Sequence, residues 1–245
     1  MSTHQQADII RRLQKEILPL QGYRPPAAGG ADDLGLGPVA TAFPGNSFPT
    51  GAVHEFISTA AEQGAAASGF MAGLLGGLMR GGRAGLWISA ARSLFPPALK
   101  AFGIAPDNLI CIDLASEKDA LWVMEEALKC EGLAAVVGEI RHISFTESRR
   151  LQLAVEKSRV TGFILRRQPR QLNTIACVSR WQINSLPSGL EEGLPGVGFP
   201  RWQVELQKVR NGRPGSWQLE WRAGVFRPVE ERETAITDIP QRKTG

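Results

Sequence analysis

The chain is poor in several residue types, and each scarcity argues against a class of protein. It has only three cysteines in 245 residues, in no C-x-x-C spacing, which argues against a disulfide framework and a zinc site. Its three histidines lack metal-ligand spacing. No apolar run reaches the roughly 18 residues of a membrane span, and the first residues carry charges where a signal peptide has its apolar core. We therefore expect a cytoplasmic protein with no metal, no cofactor and no membrane contact.

Acidic residues are scarce in the second half of the chain. Residues 141–227 contain 15 Lys and Arg but 6 Asp and Glu, whereas residues 1–140 contain 10 and 14. The net charge of +4 is therefore concentrated in one region. A basic region of this kind favours a polyanion or an acidic protein surface as partner, and a merely solvated basic face is the alternative.

Lysine is absent between Lys15 and Lys100, and this gap contains a glycine-rich run. The run GAAASGFM, residues 64–71, has the glycine spacing of the phosphate-binding motif G-x-x-x-x-G-K-[ST]. Phe70 stands in the lysine position and Met71 in the hydroxyl position. The run follows a predicted strand and opens a predicted helix over residues 68–79, where such a loop must lie for its N–H groups to face a phosphate. We expect a vestigial nucleotide-binding loop made of Gly64, Ser68, Gly69, Phe70 and Met71.

Four segments are predicted from the composition. Residues 1–20 form an amphipathic helix with an apolar stripe, which ends at Pro19 and either folds back on its own core or docks on a partner. Residues 21–42 are rich in Pro and Gly and form a linker. Residues 43–227 form the core, and residues 228–245 form a polar, disordered tail. The stripe consists of Ile9, Ile10, Leu13, Ile17 and Leu18.

The hydrophobic pattern of the core changes near residue 170. Before it, wholly apolar strands alternate with helices, which indicates a parallel sheet buried on both faces. After it, polar and apolar residues alternate, which indicates antiparallel strands with one solvated face. The fold class is therefore α/β, a mostly parallel sheet flanked by helices with antiparallel C-terminal strands. The predicted strands are 52–58, 84–89, 108–114, 133–140, 162–167, 174–184, 201–210 and 216–224.

Three stretches carry a resemblance to a known family. FPTGAVHEFIS (48–58) resembles the opening of the RecA recombinase core, and residues 86–140 look like its continuation. LQKVRNGRPGSWQLEW (206–221) is similar to a hairpin of RecA-like recombinases and replicative helicases. The resemblance covers about residues 43–223. On the small-residue loop and the short basic C-terminal half, the chain is identified as a member of the ImuA family.

This resemblance implies a RecA-like P-loop core with a degenerate nucleotide site. It also implies an accessory role in SOS-induced, error-prone translesion repair, with RecA and an ImuB-like inactive polymerase homologue as partners. Gly138 falls where the magnesium-binding aspartate is expected, with Glu139 on the opposite strand face, and Ala91 falls at the catalytic glutamate. With Phe70 and Met71, these losses imply that the protein is not an enzyme. The alternatives are a SulA-like cell-division inhibitor, an atypical ATPase and a single-strand DNA-binding protein.

Three groups of residues are candidate contacts with a partner or with DNA. Cations cluster at the tip of the predicted hairpin. A second group lies at the end of the strand 162–167 and just after it, and Trp181 adds an aromatic ring for stacking on single-stranded DNA. An arginine-rich rim over a core tryptophan is the alternative. The N-terminal apolar stripe is the third candidate. The contact residues are Lys208, Arg210 and Arg213, then Arg166, Arg167 and Arg170, then Ile9, Leu13 and Ile17.

Overall fold

A computed structural model describes residues 34–90, 94–190 and 197–229. Nine strands in these residues form one sheet, in the order β3-β2-β4-β5-β1-β6-β7-β8-β9. The strands β1 to β6 are parallel, and β7, β8 and β9 continue the sheet in antiparallel fashion. This confirms the predicted fold class. The strands are β1 Val53–Ser58, β2 Ala84–Ser89, β3 Leu109–Asp113, β4 Leu133–Glu139, β5 Thr161–Arg167, β6 Ser179–Gly189, β7 Phe199–Val209, β8 Gly215–Arg222 and β9 Val225–Pro228.

Helices cover both faces of the parallel part of the sheet. Helix α1 (Ala61–Leu78) lies on one face, and helices α2 (Glu117–Ala127) and α3 (Phe145–Ser158) lie on the other. A capping box fixes the start of α3, because Ser144 and Glu147 exchange side-chain and backbone hydrogen bonds. The Ser144 N–H donates to the Glu147 carboxylate, and this bond lowers the pKa of that carboxyl. Each face therefore has its own apolar core.

The strands of the parallel half are not all buried as the apolar pattern predicts. The strand β1 is wholly buried between β5 and β6, but β3 is an edge strand. Ile110 of β3 is 49% exposed, and Cys111 beside it is also exposed. An apolar run cannot distinguish a central strand from an edge strand, because strand order is a property of the tertiary structure.

The antiparallel half differs from the prediction at its two ends. Strand β6 begins at Ser179, so residues 174–178 precede the strand and pass through a turn in which the Cys177 N–H donates to the Ile175 carbonyl. A short strand that was not predicted, β9, pairs with β8 through a tight turn at Ala223 and Gly224. Between β2 and β3, a 3-10 helix spans Pro96–Phe102.

The last nine residues of the predicted linker are part of the core. Leu34, Leu36 and Val39 are buried, and Gly37–Ala42 form a 3-10 helix. Leu34 lies close to Gly77 on α1, where an added Cβ would be 2.9 Å from the leucine. The predicted N-terminal helix, residues 21–33 and the tail from residue 230 lie outside the described residues.

Candidate functional site

The glycine-rich run is helical throughout, so the loop predicted at its start is wrong, whereas the helix predicted from residue 68 is present. Helix α1 begins at Ala61, with two residues between it and the end of β1, so both Gly64 and Gly69 lie within it. The Gly64 N–H donates to the Ala60 carbonyl at 3.1 Å. From this residue onward the helical N–H groups are committed to carbonyls one turn earlier. The glycines therefore do not present a cradle of free N–H groups to a phosphate.

The two residues in the lysine and hydroxyl positions belong to the apolar core. Phe70 and Met71 are fully buried. The Phe70 ring centroid lies 4.7 Å from that of Phe226, 5.8 Å from that of Trp181 and 6.0 Å from that of Trp202. Neither side chain points to a solvent-filled cleft, so both act in packing between α1 and the antiparallel strands.

An arginine occupies the space beside the glycine run. The guanidinium of Arg167, at the end of β5, donates to Glu139 at 2.8 and 3.3 Å and to the Ser68 hydroxyl at 3.3 Å. A Cβ at Gly64 would lie 2.5 Å from its Nη1 atom, so the missing side chain of Gly64 makes room for this guanidinium. Trp87 donates to the same carboxylate at 3.0 Å. These contacts form what we call the Arg167 network: Arg167, Glu139, Ser68 and Trp87.

The faces assigned to Gly138 and Glu139 on β4 were the wrong way round. An added Cβ at Gly138 would lie 2.5 Å from the Met124 sulfur on α2, so this position faces away from α1. Glu139 faces α1 through Arg167 and Ser68. The acidic side chain on the α1 face is therefore present, but it is engaged by an arginine and a tryptophan. Ala91, expected at the catalytic glutamate, lies outside the described residues.

A second ion cluster lies on the other face of the sheet, and it removes Arg166 from the candidate contacts. Arg166 is 1% exposed and donates to the Glu55 carboxylate at 3.0 Å. Arg180 donates to the other oxygen of the same carboxylate at 2.6 Å. The two guanidinium groups also donate to the carbonyls of Gln171 and Asn173. This Glu55 cluster, made of Glu55, Arg166 and Arg180, therefore holds the β5–β6 connection in place.

Trp181 is a core residue as well. It is fully buried, and its ring is stacked on that of Phe56 with centroids 5.9 Å apart. Its indole N–H donates to the Ser179 hydroxyl at 2.6 Å. A base cannot stack on it, so of the predicted DNA contacts after β5 only Arg170 is exposed and Arg167 is half-buried.

The hairpin cations lie toward the opposite end of the strands from Arg167. Ser58, at the end of β1, is in register with Arg167, whereas His54 is in register with Ser179, which pairs with Val209. Most of the length of β1 therefore separates Arg167 from the hairpin. Lys208 and Arg213 are exposed, Arg210 is half-buried, and the Arg213 N–H donates to the Ala42 carbonyl at 2.8 Å.

Two buried groups have shifted pKa values. Burial lowers the pKa of His54 to about 4, although the ring hydrogen bond with the Pro49 carbonyl acts in the other direction. Its ring nitrogens lie 2.8 Å from that carbonyl and 2.6 Å from the Ser179 hydroxyl, which suits a neutral imidazole. Burial, helped by the Glu55 charge, raises the pKa of the Cys177 thiol to about 12. Both groups are therefore neutral at pH 7 and have a structural role.

Neither a metal cluster nor a membrane span is found in the part of the chain that the structure describes. No three His, Cys, Asp or Glu side chains within residues 34–90, 94–190 and 197–229 are grouped so as to hold a metal ion. Across the same ranges, none of the helices has the length and apolar character needed to cross a bilayer.

The fold resembles that of a known recombinase. The crystal structure of the RadB recombinase superimposes with a TM-score of 0.56, covering 81% of this chain and 99% of that one at 14% identity. This likeness shows a RecA-like fold. No family model matches the chain.

Two curated relatives match over most of the sequence. Each is named Protein ImuA, one from Caulobacter vibrioides strain NA1000 / CB15N and one from strain ATCC 19089 / CIP 103742 / CB 15. Each is 38% identical over 190 residues, covering 73% of this chain and 78% of the relative. Together with the RecA-like fold, this identity confirms the resemblance that the sequence motifs carry: the chain belongs to the ImuA family.

Proposed function

We propose that the protein is a non-catalytic, RecA-like accessory protein in SOS-induced, error-prone translesion DNA repair. Family membership supports a place in the mutagenesis cassette that includes ImuB, an inactive polymerase homologue. The observation that carries the non-catalytic role is the Arg167 network. An internal guanidinium lies across Gly64, where a nucleotide-binding loop would hold phosphate, and it is bound to Glu139.

The absence of ATP chemistry is supported by three features that act together. The N–H groups of α1 from Gly64 onward donate within the helix. Phe70 and Met71 are buried and offer neither a cation nor a hydroxyl. Glu139 is held by Arg167 and Trp87, so its carboxylate is not free to hold magnesium. Hydrolysis needs phosphate neutralisation, a metal site and an oriented water, and the described residues offer no donor set for any of these.

Partner binding is the mode of action that we assign to this protein. A RecA-like fold that cannot be cycled by hydrolysis can still present RecA-like surfaces to RecA and to an ImuB-like partner. Direct binding of single-stranded DNA has weaker support, because Arg166 and Trp181 are buried in the core. The basic hairpin, with Lys208 and Arg213 exposed, remains a candidate contact with an acidic protein surface.

Thermal unfolding with Mg-ATP tests the non-catalytic part of the proposal. A ligand present at 100 times its dissociation constant stabilises a protein by about 2.7 kcal/mol. We expect no change in Tm at millimolar Mg-ATP and no phosphate release, with RecA as the positive control. A clear rise in Tm that Gly69→Val abolishes would overturn this part of the proposal.

Restoring the lysine is a second test of the same point. Phe70→Lys places an ammonium in a fully buried aromatic cluster, and we expect it to lower stability by several kcal/mol without ATPase activity. Phe70→Leu is the matched control, because it removes the ring and adds no charge. Recovery of activity in the lysine variant would show that a nucleotide site persists.

The partner is tested by capture of RecA. The double variant Lys208→Glu with Arg210→Glu should slow association and weaken its dependence on salt. The control Arg149→Glu with Lys157→Glu makes the same change in net charge on exposed positions of α3. An equal fall in the association rate for both double variants would show that net charge alone, and not the hairpin, controls binding. No capture of RecA by the unchanged protein would reject RecA as the partner.

A further inference from the structure

An apolar groove runs along the first half of α1. It has a volume of about 350 Å³ and lies between that helix and the 3-10 helix Pro96–Phe102. Ala65 and Gly69 form its floor, and Phe95, Ala98 and Phe102 form its wall. Among the described residues that line it, Arg167 is the charged one, and its guanidinium is bound to Glu139. The described lining therefore suits an apolar side chain.

The wall of the groove consists of apolar residues that are exposed to solvent. Phe95 is 68% exposed, and Ala65 and Ala98 are exposed beside it. An aromatic ring at the mouth of an apolar groove is the arrangement expected of a surface that another element covers. A helix is a suitable element, because the floor contains only small residues and permits close approach.

The sequence predicts a suitable helix near the N-terminus of the same chain. Residues 9–18 place Ile9, Leu13 and Ile17 on one face at helical spacing, with Arg12 and Lys15 between them. An isolated helix of this length is marginal in water and is normally stabilised by burying its apolar face. Residues 1–33 precede the first described residue, so this helix lies upstream on the same chain.

The chain enters the described core beside the C-terminal half of the helix whose N-terminal half lines the groove. Leu34 packs against Gly77, on the same helix α1 whose first half lines the groove. At about 1.5 Å per residue, Gly77 lies about 12 Å from Gly69 along the helix axis and about 24 Å from Ala61. The fifteen residues between Leu18 and Leu34 span up to about 50 Å when extended. The connection is therefore long enough to return the helix to its own groove.

We propose that the N-terminal amphipathic helix docks in this groove of its own chain and inserts its apolar stripe between α1 and Pro96–Phe102. The docked helix covers Phe95 and seals the solvent side of the Arg167 network. This inference stands independently of RecA binding, because both of its tests use the protein alone.

Crosslinking tests the position of the helix. In the full chain with Cys111→Ser and Cys130→Ser, a bismaleimide of about 8 Å span should join Leu13→Cys to Ala98→Cys within one chain. The matched control pairs Leu13→Cys with Leu153→Cys, an exposed position on α3, which lies across the sheet from the groove. The remaining Cys177 is buried and its thiol stays protonated. An intramolecular crosslink, formed within one monomer and seen in the first pair alone, supports the proposal.

Stability supplies a second readout that does not depend on crosslinking geometry. Leu13→Gln with Ile17→Gln preserves the helix but removes its stripe, and we expect a fall in Tm of about 4 °C. Ala98→Arg, which fills the groove, should lower Tm by a similar amount, and the combined variant should fall no further. For the control Leu153→Arg, the fall in Tm should add in full to that of the Leu13→Gln, Ile17→Gln variant.

The outcomes separate the possible occupants. A crosslink of twice the monomer mass would show that a second copy fills the groove, and it would overturn the proposal of self-docking. Full additivity between the stripe variant and Ala98→Arg, with no crosslink above the control, would show that the helix does not dock here. A crosslink of equal yield in both pairs would show a helix without a fixed site and would also overturn the proposal.

Discussion

Arg166 and Arg167 are neighbours on β5, yet they meet opposite environments. Arg166 points toward α3 and pairs with Glu55, and both side chains are almost completely excluded from solvent. Arg167 points toward α1 and pairs with Glu139, but 24% of its own side chain remains exposed beside the groove. Because strand side chains alternate, one dipeptide supplies a cation to each face of the sheet. The first pair is buried in the core, whereas the second borders a groove that is open to solvent.

Removing the charge of Glu55 should cause the largest loss of stability, and it should exceed the loss from the corresponding change at Glu139 on the other face of the sheet. Glu55→Gln leaves Arg166 buried and without its counter-charge, and Arg180 loses the same partner. Breaking a buried pair on one side destabilises by about 3–5 kcal/mol. Urea unfolding followed by tryptophan fluorescence measures this loss. A loss below that of Glu139→Gln would contradict the ranking of the two pairs.

Acid should destabilise the α1 face of the sheet through His54. The buried imidazole of His54 has its pKa lowered to about 4 from an unfolded value of about 6.5. The unfolded state therefore binds the proton first, and stability falls as pH decreases from 6.5 to 4, by about 3 kcal/mol in full. His54→Gln should flatten this part of the profile, whatever its own stability at pH 7. An unchanged slope in that variant would contradict the assignment.

The Arg167 pair should have a smaller effect on stability. Glu139→Gln keeps an acceptor for the Trp87 N–H and for the guanidinium, and Arg167 can be solvated through its exposed side. We expect a loss of about 1–2 kcal/mol in the same unfolding assay. We also expect Arg167→Ala to show no Mg-ATP shift, because the helical N–H groups remain committed. A shift in that variant would show that Arg167 alone blocks the nucleotide.

The hairpin should show almost no effect on stability. Lys208 is exposed and Arg210 is half-buried, and the backbone bond from Arg213 to Ala42 does not involve a charge. Lys208→Glu with Arg210→Glu should change the free energy of unfolding by no more than about 0.5 kcal/mol. A larger loss would mean that these cations hold the fold and would weaken their use as a partner surface.

The sequence predicts the layout of this molecule better than its contacts. The apolar strands and the helices between them follow from periodicity, and eight of the nine strands have a counterpart in the prediction. The glycine run was placed in a loop because its spacing fits a phosphate motif, but small residues are equally at home in a packed helix. A single-residue error in register placed Glu139 on the wrong face, since strand side chains change face at each residue.

The two ion pairs were missed although a signal for them was present. Glu55 and Glu139 are charged residues in otherwise apolar strands, and a buried carboxylate needs a partner of opposite charge. The Arg-Arg dipeptide at the end of β5 supplies one cation to each face. Strand order could not be derived from the sequence, so the pairing of Glu55 with Arg166 and Arg180 required the structure.

The place of β1 in the sheet has a consequence for biosynthesis. Both of its neighbours, β5 and β6, lie more than 100 residues later in the chain, as the pairs Val53–Gly162 and His54–Ser179 show. At about 5–20 residues per second, a ribosome needs roughly 5–25 s to deliver them after β1 has emerged. During this time β1, which is wholly buried in the folded protein, has neither of its partners. We therefore expect the nascent chain to expose this strand to aggregation until β5 and β6 have been made.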